Sequence, residues 1–439
     1  MKVSLITLGC NKNEVDSEMI LGYMKNRNYE ITTDLEEAEI IIVNTCGFIK
    51  SAKEEAINTI LDAADYKVEG NCKHLIVTGC LAKRYKQDII KEFPEVDLVI
   101  GVDEYPNFDT IFSEYIKSKK ENKGLEFKDR IISSTFPTAY IRISDGCNNR
   151  CHYCAIPLIR GSLKSRKIED IVEEAKLLAS QGIEELIIIS QDTTSYGLDI
   201  YGKCMLTKLL RELSNIEGIR WIRILYMYPG KVTDELIEEF KQNSKLCRYF
   251  DIPCQHISDN MLKAMNRHTT KQEIYDLVAK IRKELPDAII RTTMMVGYIG
   301  ETKEDFEEML EGVETLKFDR LGAFAFSKED DTPADKFEDT VLEEEKIYRY
   351  NTLMKKQREI VNKKQKEMVG KTLEVLVENV TDDDSHFVCR SYMEAPDVDS
   401  RILIKLTKDT GDVIVGSFIK AKIIGSKDYD LIAEVERGE

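Results

Sequence analysis

Three cysteines, Cys147, Cys151 and Cys154, close the seventeen residues TAYIRISDGCNNRCHYC, whose first half is an apolar run that reads as a β-strand. A strand that ends there must hand over to a tight loop able to turn three sulfurs toward one point. Three residues separate the first pair and two the second. Three thiolates hold three irons of a cubane 4Fe–4S cluster and leave the fourth iron open to bind and reduce something. A zinc site short of one ligand, or a chance spacing, is the plainer alternative.

A second set of cysteines lies upstream, in the section spanning residues 1–128. Here short apolar strands alternate with amphipathic helices: MKVSLITLGC, AEIIIVNTCGF, HLIVTGCLAK and DLVIGV read as strands between helices. Such alternation indicates a doubly wound parallel sheet covered on both faces. Cys10, Cys46 and Cys80 are 36 and 34 residues apart, about one strand–helix repeat each, and each falls at the carboxyl end of its strand. Those ends converge on one crevice in a doubly wound sheet. Gly9, Gly47 and Gly79 adjoin the three cysteines, which would let backbone approach a bound group closely. Buried cysteine is also a common small core residue, but three in register at strand ends point to a second three-ligand cluster. Cys72 stands at no strand end and reads as structural.

Residues 116–130 are charged and poor in apolar side chains and read as a linker or loop. From 138 to 340 a strand–helix unit repeats about six times, which predicts a full or partial TIM-like (β/α) barrel with its chemistry at the carboxyl ends of the strands. The helix IEDIVEEAKLLASQG sets Ile171, Val172, Ala175, Leu178 and Ala179 on one face, with Gly182 placed to end it. Polar residues gather at the other strand ends: Gln191 and Asp192, Tyr226 and Tyr228, Gln255 and His256, Arg291 with Thr292 and Thr293. Each reads as well as a capping residue as a ligand contact, and His256 is not assigned as a base.

A charged helix over 341–368 connects to the last section, 369–439, where five short strands with turns at Asp382–Asp384, Gly411 and Gly425 suggest a small antiparallel barrel. From Lys371 onward 9 Lys and Arg face 15 Asp and Glu, a net charge of −6. A nucleic-acid-binding barrel of this size is usually basic, so the acidic balance weighs toward a protein partner. The whole chain carries −16, which disfavours nonspecific binding to phosphate backbones. No apolar run reaches the length of a membrane span. Eleven cysteines without a secretory leader point to metal ligation or reduced thiols rather than a disulfide framework, and to a cytoplasmic protein.

With one cysteine trio in each of the first two sections, and a small barrel last, the chain resembles the radical S-adenosylmethionine (SAM) methylthiotransferase family from end to end. LGCNKNEVDSE, SDGCNNRCHYCAIPLIRG, SQDTTSYG, DIPCQHISD and APDVDS are similar to the branch acting on ribosomal protein S-twelve rather than the branch acting on tRNA. One departure is VGYIGET, with Tyr298 and Ile299 where the family usually has phenylalanine and proline.

The resemblance implies two 4Fe–4S clusters, on Cys147, Cys151 and Cys154 and on Cys10, Cys46 and Cys80. It implies SAM as radical source and methyl donor, and an external electron donor such as flavodoxin or ferredoxin. It implies SAM contacts from Tyr153, Gln191, Asp192, Arg291 and Gly297, with Tyr153 near the adenine. The last section would be a TRAM-like barrel. The reaction implied converts C–H to C–S–CH3 at the β-carbon of an aspartate of the ribosomal protein, met free or in the subunit. A tRNA adenosine methylthiotransferase of the same mechanism is the alternative. A non-catalytic iron–sulfur protein is a third reading, which the open coordination of both trios argues against. If radical and sulfur are to meet, the crevice of the first section must face the barrel mouth.

Overall fold

The computed structural model describes residues 1–119, 124–407 and 410–436; part of the expected linker, 120–123, and 408–409 and 437–439 of the last section lie outside the described residues. In the first section β1 (Lys2–Thr7), β2 (Glu30–Ile31), β3 (Ile40–Thr45), β4 (His74–Gly79) and β5 (Leu98–Gly101) form a parallel sheet in the order β2-β1-β3-β4-β5. Five helices accompany it: α1 (Asn11–Asn26), α2 (Lys50–Glu69), α3 (Cys80–Arg84), α4 (Lys86–Glu92) and α5 (Phe108–Ile116). Alternate residues of β3 serve opposite faces. Ile40 and Ile42 pack with Ile20, Met24, Phe108 and Phe112 of α1 and α5. Ile41 and Val43 pack with Ala56, Ile60 and Ala63 of α2 and Ile89 of α4. The chain winds outward from β1 to β2 and, the other way, from β3 through β5. The switch between β1 and β3 is where such sheets open a crevice.

The middle section is a partial barrel of six parallel strands in two arcs. β6 (Thr138–Arg142), β9 (Glu185–Ile189) and β10 (Trp221–Ile224) form one arc, and β11 (Tyr249–Asp251), β12 (Ile289–Val296) and β13 (Arg320–Ala325) the other. A bridge between Ile222 and Leu246 joins them. Two short strands, β7 (Ser144–Asp145) and β8 (Lys164–Ser165), pair across the base of the cysteine loop. Helices α6 (Ile156–Ile159), α7 (Ile168–Ser180), α8 (Leu198–Tyr201), α9 (Leu206–Ser214), α10 (Asp234–Gln242), α11 (Asp259–Ala264), α12 (Lys271–Glu284) and α13 (Lys303–Leu316) complete the units. Ile171, Ala175 and Leu178 of α7 and Leu209, Leu210 and Leu213 of α9 are buried against the strands. Thr270 and Thr302 open α12 and α13 with capping boxes to Glu273 and Asp305.

The long helix α14 (Glu343–Met368) leads to a closed barrel of β14 (Thr372–Val380), β15 (His386–Ser391), β16 (Ile402–Lys405), β17 (Phe418–Lys427) and β18 (Asp430–Val435). Two details differ from the sequence expectation. β16 and β18 pair in parallel, the one parallel pairing that closes an otherwise antiparallel barrel. Gly425 does not turn the chain: it lies inside β17 at a register shift, and the β17–β18 turn comes at Asp428. An alternating apolar pattern reports the strands but not the direction of their partners.

All three sections share one interior. Tyr140, Ile187, Ile189, Trp221 and Tyr249 of the partial barrel pack with Val15 of α1 and with Leu376, Met393 and Ala395 of the last section. Glu185 is fully buried there between Arg223 at 3.0 Å and Arg390 at 2.5 Å. The far end of the expected linker is also a packed joint, because Arg130 is buried between Glu18 at 2.5 Å and Glu174 at 2.9 Å. Its charge, which reads as solvated in sequence, is neutralised across the domain boundary.

Candidate active site

Cys10, Cys46 and Cys80 lie at the ends of β1, β3 and β4: Cys10 precedes α1, Cys46 follows β3 directly, and Cys80 begins α3. The first two flank the switch point of the sheet. Gly9 has φ +92°, and a Cβ there would lie 2.7 Å from Cys46 Cβ. Gly79 has φ +101° and would meet Thr45 O at 2.4 Å. These glycines therefore let the cysteine loops approach one another, which is a tighter demand than access for a bound group. Asn13 ties the loops together: its Nδ2 donates to Leu8 O at 2.9 Å and Thr45 O at 3.1 Å, and its Oδ1 lies 3.5 Å from Cys80 Sγ.

Burial pushes the Cys80 thiol up to about 12, with negative charge on Cys10 and Cys46 adding to the effect against the opposing pull of Arg160. Burial also raises Cys46, and Cys10 again adds to it. The three sulfurs are close enough to oppose one another's ionisation, so they can all be thiolates only beside a compensating cation. The irons of a bound cluster would supply that charge.

The second trio repeats this chemistry. Cys147, Cys151 and Cys154 lie in the loop after β7, with Asn149 N donating to Cys147 Sγ at 3.5 Å and Arg267 Nη1 at 3.8 Å from Cys151 Sγ. Burial pushes Cys154 up to about 12, and Cys151 and Cys147 add to it. Among the described residues no three Cys, His, Asp or Glu side chains converge closely enough to hold a single metal ion. A cubane places each thiolate on its own iron and so needs them farther apart. In donor chemistry, three thiols each that oppose one another's ionisation, both sets suit such a group.

Around the second trio a polar network fixes the mouth of the barrel. Asp192 accepts from Asn149 Nδ2 at 2.8 Å, Ser195 Oγ at 2.6 Å and Lys231 Nζ at 2.9 Å. Burial opposes its ionisation, yet Lys231 and these donors hold it below the ordinary carboxylate value. Gln191 Nε2 donates to Asp145 Oδ1 at 3.1 Å, while its Oε1 is buried without a partner, as is Gln255 Oε1. Tyr226 and Gln255, at the ends of β10 and β11, take left-handed backbone (φ +62° and +71°), conformations that concentrate at functional sites.

The remaining expected contacts divide. Tyr153 is half-buried and edge-on to Tyr298, with ring centroids 6.4 Å apart. Tyr298, one of the two departures in VGYIGET, is buried edge-on to Phe326 and donates its hydroxyl to Ala264 O at 3.4 Å. Gly297 has its N–H taken by Glu301, and a Cβ there would meet Lys346. Arg291 pairs with Asp251 at 2.8 Å and reaches Asp399 of the last section at 3.6 Å, and it has no described contact with the cysteine loop. His256 is buried, accepting from Ser258 N on Nδ1 and facing Glu301 through Nε2 at 3.0 Å, a structural arrangement.

Sequence reasoning missed the residues that join the two trios. Arg160, just after α6, places Nη2 3.6 Å from Cys80 Sγ, 3.0 Å from Asn13 Oδ1 and 2.7 Å from Asp16 Oδ2, and Nη1 3.2 Å from Asp145 Oδ2. Arg142 also pairs with Asp16, at 2.5 Å. Asp145 thus connects Arg160 to Gln191 and to Gly146 N, next to Cys147. On the other side Arg84 donates to Gly47 O at 2.8 Å and pairs with buried Glu329, in the loop after β13, at 3.0 Å; Lys53 joins Glu329 at 2.9 Å. The available signal was Arg160 in AIPLIRG, a charge at the end of an otherwise apolar stretch.

Comparisons agree with this arrangement. Residues 2–101 match the family described as "Uncharacterized protein family UPF0004", 141–313 the radical SAM superfamily and 369–435 the TRAM domain. Among solved structures, the radical SAM methyltransferase TsrM from Kitasatospora setae, bound to cobalamin and a [4Fe-4S] cluster, shares the fold. Its TM-score is 0.57 at 14% identity, over 76% of each chain. The ribosomal protein uS12 methylthiotransferase RimO of Clostridium botulinum is 49% identical over 99% of this chain and 98% of its own. That of Clostridioides difficile is 46% identical over 99% of both. No helix is long and apolar enough to cross a membrane, and all eleven cysteines are free. A radical SAM partial barrel, a doubly wound sheet with a cysteine at each of three strand ends and a TRAM barrel, matched over the full length, make this chain a member of the ribosomal protein uS12 methylthiotransferase RimO family.

Proposed function

We infer that this protein inserts a methylthio group at the β-carbon of an aspartate of ribosomal protein uS12, with one 4Fe–4S cluster on each cysteine trio, SAM and an external one-electron donor. The observation that carries the reading is the Cys80–Arg160–Asp145 connection, which turns the crevice of the first domain toward the barrel mouth. An unactivated C–H bond yields to no side-chain base of ordinary strength. With both clusters and SAM bound, hydrogen abstraction and sulfur donation are the chemistry the cofactors supply.

The residues of the chain orient those groups and keep water out. Cys147, Cys151 and Cys154 would hold one cluster, with Arg267 lying over the Tyr228 ring at 4.3 Å and bracing Cys151. Cys10, Cys46 and Cys80 would hold the other, with Arg160 donating toward Cys80. Gln191 Oε1 and Gln255 Oε1 are buried acceptors left open at the mouth, suited to hydroxyl or amino donors of SAM, and Tyr153 of the cysteine loop offers its ring for the adenine. Asp192, already saturated by Lys231, Ser195 and Asn149, positions the loop. The net charge of −6 on the last section favours a protein over tRNA.

The test is direct. Anaerobically reconstituted enzyme with SAM and reductant is offered uS12 and tRNA separately, and mass spectrometry follows both. A methylthio mass gain on uS12, mapped to an aspartate, is expected; a gain on tRNA alone overturns the reading.

A further inference from the structure

Among the described residues that line the Cys10, Cys46 and Cys80 crevice, Lys12 carries a charge that the fold leaves without an anionic partner. It sits two residues after Cys10, in the first turn of α1, and is only 7% exposed. Its Nζ lies 3.0 Å from the centroid of the Tyr226 ring. Among the described residues that cation–π contact is its only partner, with no carboxylate or carbonyl within reach of its three donors. Asp251, which accepts from Tyr226 N at 2.8 Å, is engaged by Arg291. Glu14 and Asp397, the other acids of this junction, face Tyr140 and Ser133.

A buried ammonium without an acceptor is costly, and an aromatic face offsets only part of that cost. Other cations beside the two trios have committed partners: Arg142 and Arg160 pair with Asp16, Arg84 with Glu329 and Lys231 with Asp192, while Arg267 donates to Pro253 O and lies against Cys151 Sγ. Tyr226 itself is held for the task, with left-handed backbone and its hydroxyl donating to Asn11 Oδ1 at 3.3 Å. It reaches across from the end of β10 to the start of α1, so Lys12 lies where the barrel mouth and the Cys10 loop meet. The positive end of the α1 dipole adds to the same field.

We propose that Lys12 is the specificity residue of the site, binding the carboxylate of the substrate side chain. This rests on the functional reading above. A carboxylate on Lys12 sets the neighbouring methylene of an aspartate between the two trios. A substrate without that charge leaves the ammonium buried and unpaired, which is how a polar site rejects the wrong ligand.

Equilibrium binding tests it without turnover. Reconstituted enzyme, with no SAM, is titrated with uS12 and with uS12 whose methylthiolated aspartate, mapped from the wild-type product, is replaced by asparagine. Wild type should prefer the aspartate form about tenfold or more, as expected for a buried charge pair. In Lys12→Gln the preference should fall to within about twofold, while Lys12→Arg, which retains the charge, keeps most of it. Iron and sulfide content equal to wild type shows the variants folded. Should Lys12→Gln retain the full preference while wild type methylthiolates uS12, this assignment alone fails. Were wild type to give no mass gain on uS12, the functional reading and this assignment would fall together.

Discussion

Arg160 belongs to the motif of one cysteine trio and touches a thiol of the other: its Nη2 stands 3.6 Å from Cys80 Sγ. The same guanidinium pairs with Asp16 and Asp145, so one side chain fixes the separation of the two candidate cluster sites. It is buried, and its removal leaves Asp16 with Arg142 alone. Breaking one partner from such a network costs about 3–5 kcal/mol. Arg160→Leu should therefore lower the urea midpoint by that equivalent. Arg160→Lys should fall between, since a point charge cannot span Asp16, Asp145 and Cys80 as a fork does. Equal midpoints for all three proteins would show that the network carries no stability.

The terminal barrel is anchored in the same manner. Arg390 reaches Glu185 at 2.5 Å, and both are buried. Arg390→Met leaves Glu185 with Arg223 alone and should cost about 3–5 kcal/mol. Limited proteolysis reads this directly, because cleavage near α14 should accelerate as the barrel undocks. An unchanged digestion pattern would contradict the anchor.

Much of this arrangement was legible in the chain. Cys10, Cys46 and Cys80 could be placed at strand ends because short continuous apolar runs stop just before each of them, and winding brings strand ends together. The joints were not legible. Arg130 reads as part of a charged linker, yet it is buried between Glu18 and Glu174. Arg291 stands at a strand and reads as a ligand contact, yet its partners are Asp251 and Asp399. Charge signals exposure in a single sequence, and only packing reveals that its partner lies in another domain. APDVDS carried a family resemblance, but nothing in it foretold that Asp397 and Asp399 reach the partial barrel to accept from the hydroxyls of Tyr140 and Tyr249.

Glu14 gives the protein a pH dependence. Burial, helped by Glu18 and Asp397, raises its carboxyl from 4.5 to about 7. The unfolded chain releases this proton near the ordinary value while the folded chain keeps it, so stability falls as pH rises between about 4.5 and 7 and stays reduced above. Glu14→Gln removes the titration. Its melting temperature relative to wild type should climb across that window, with the largest gain at pH 8. A difference that does not vary with pH would refute the assignment.

On the proposed function the two cysteine trios divide one reaction: Cys147, Cys151 and Cys154 would hold the cluster that initiates it, and Cys10, Cys46 and Cys80 the cluster from which sulfur is donated. Cys46→Ala, reconstituted anaerobically and given SAM, reductant and uS12, separates the two. 5′-Deoxyadenosine should still form while the methylthio product disappears. Methylthiolated uS12 from the Cys46→Ala enzyme would contradict this division.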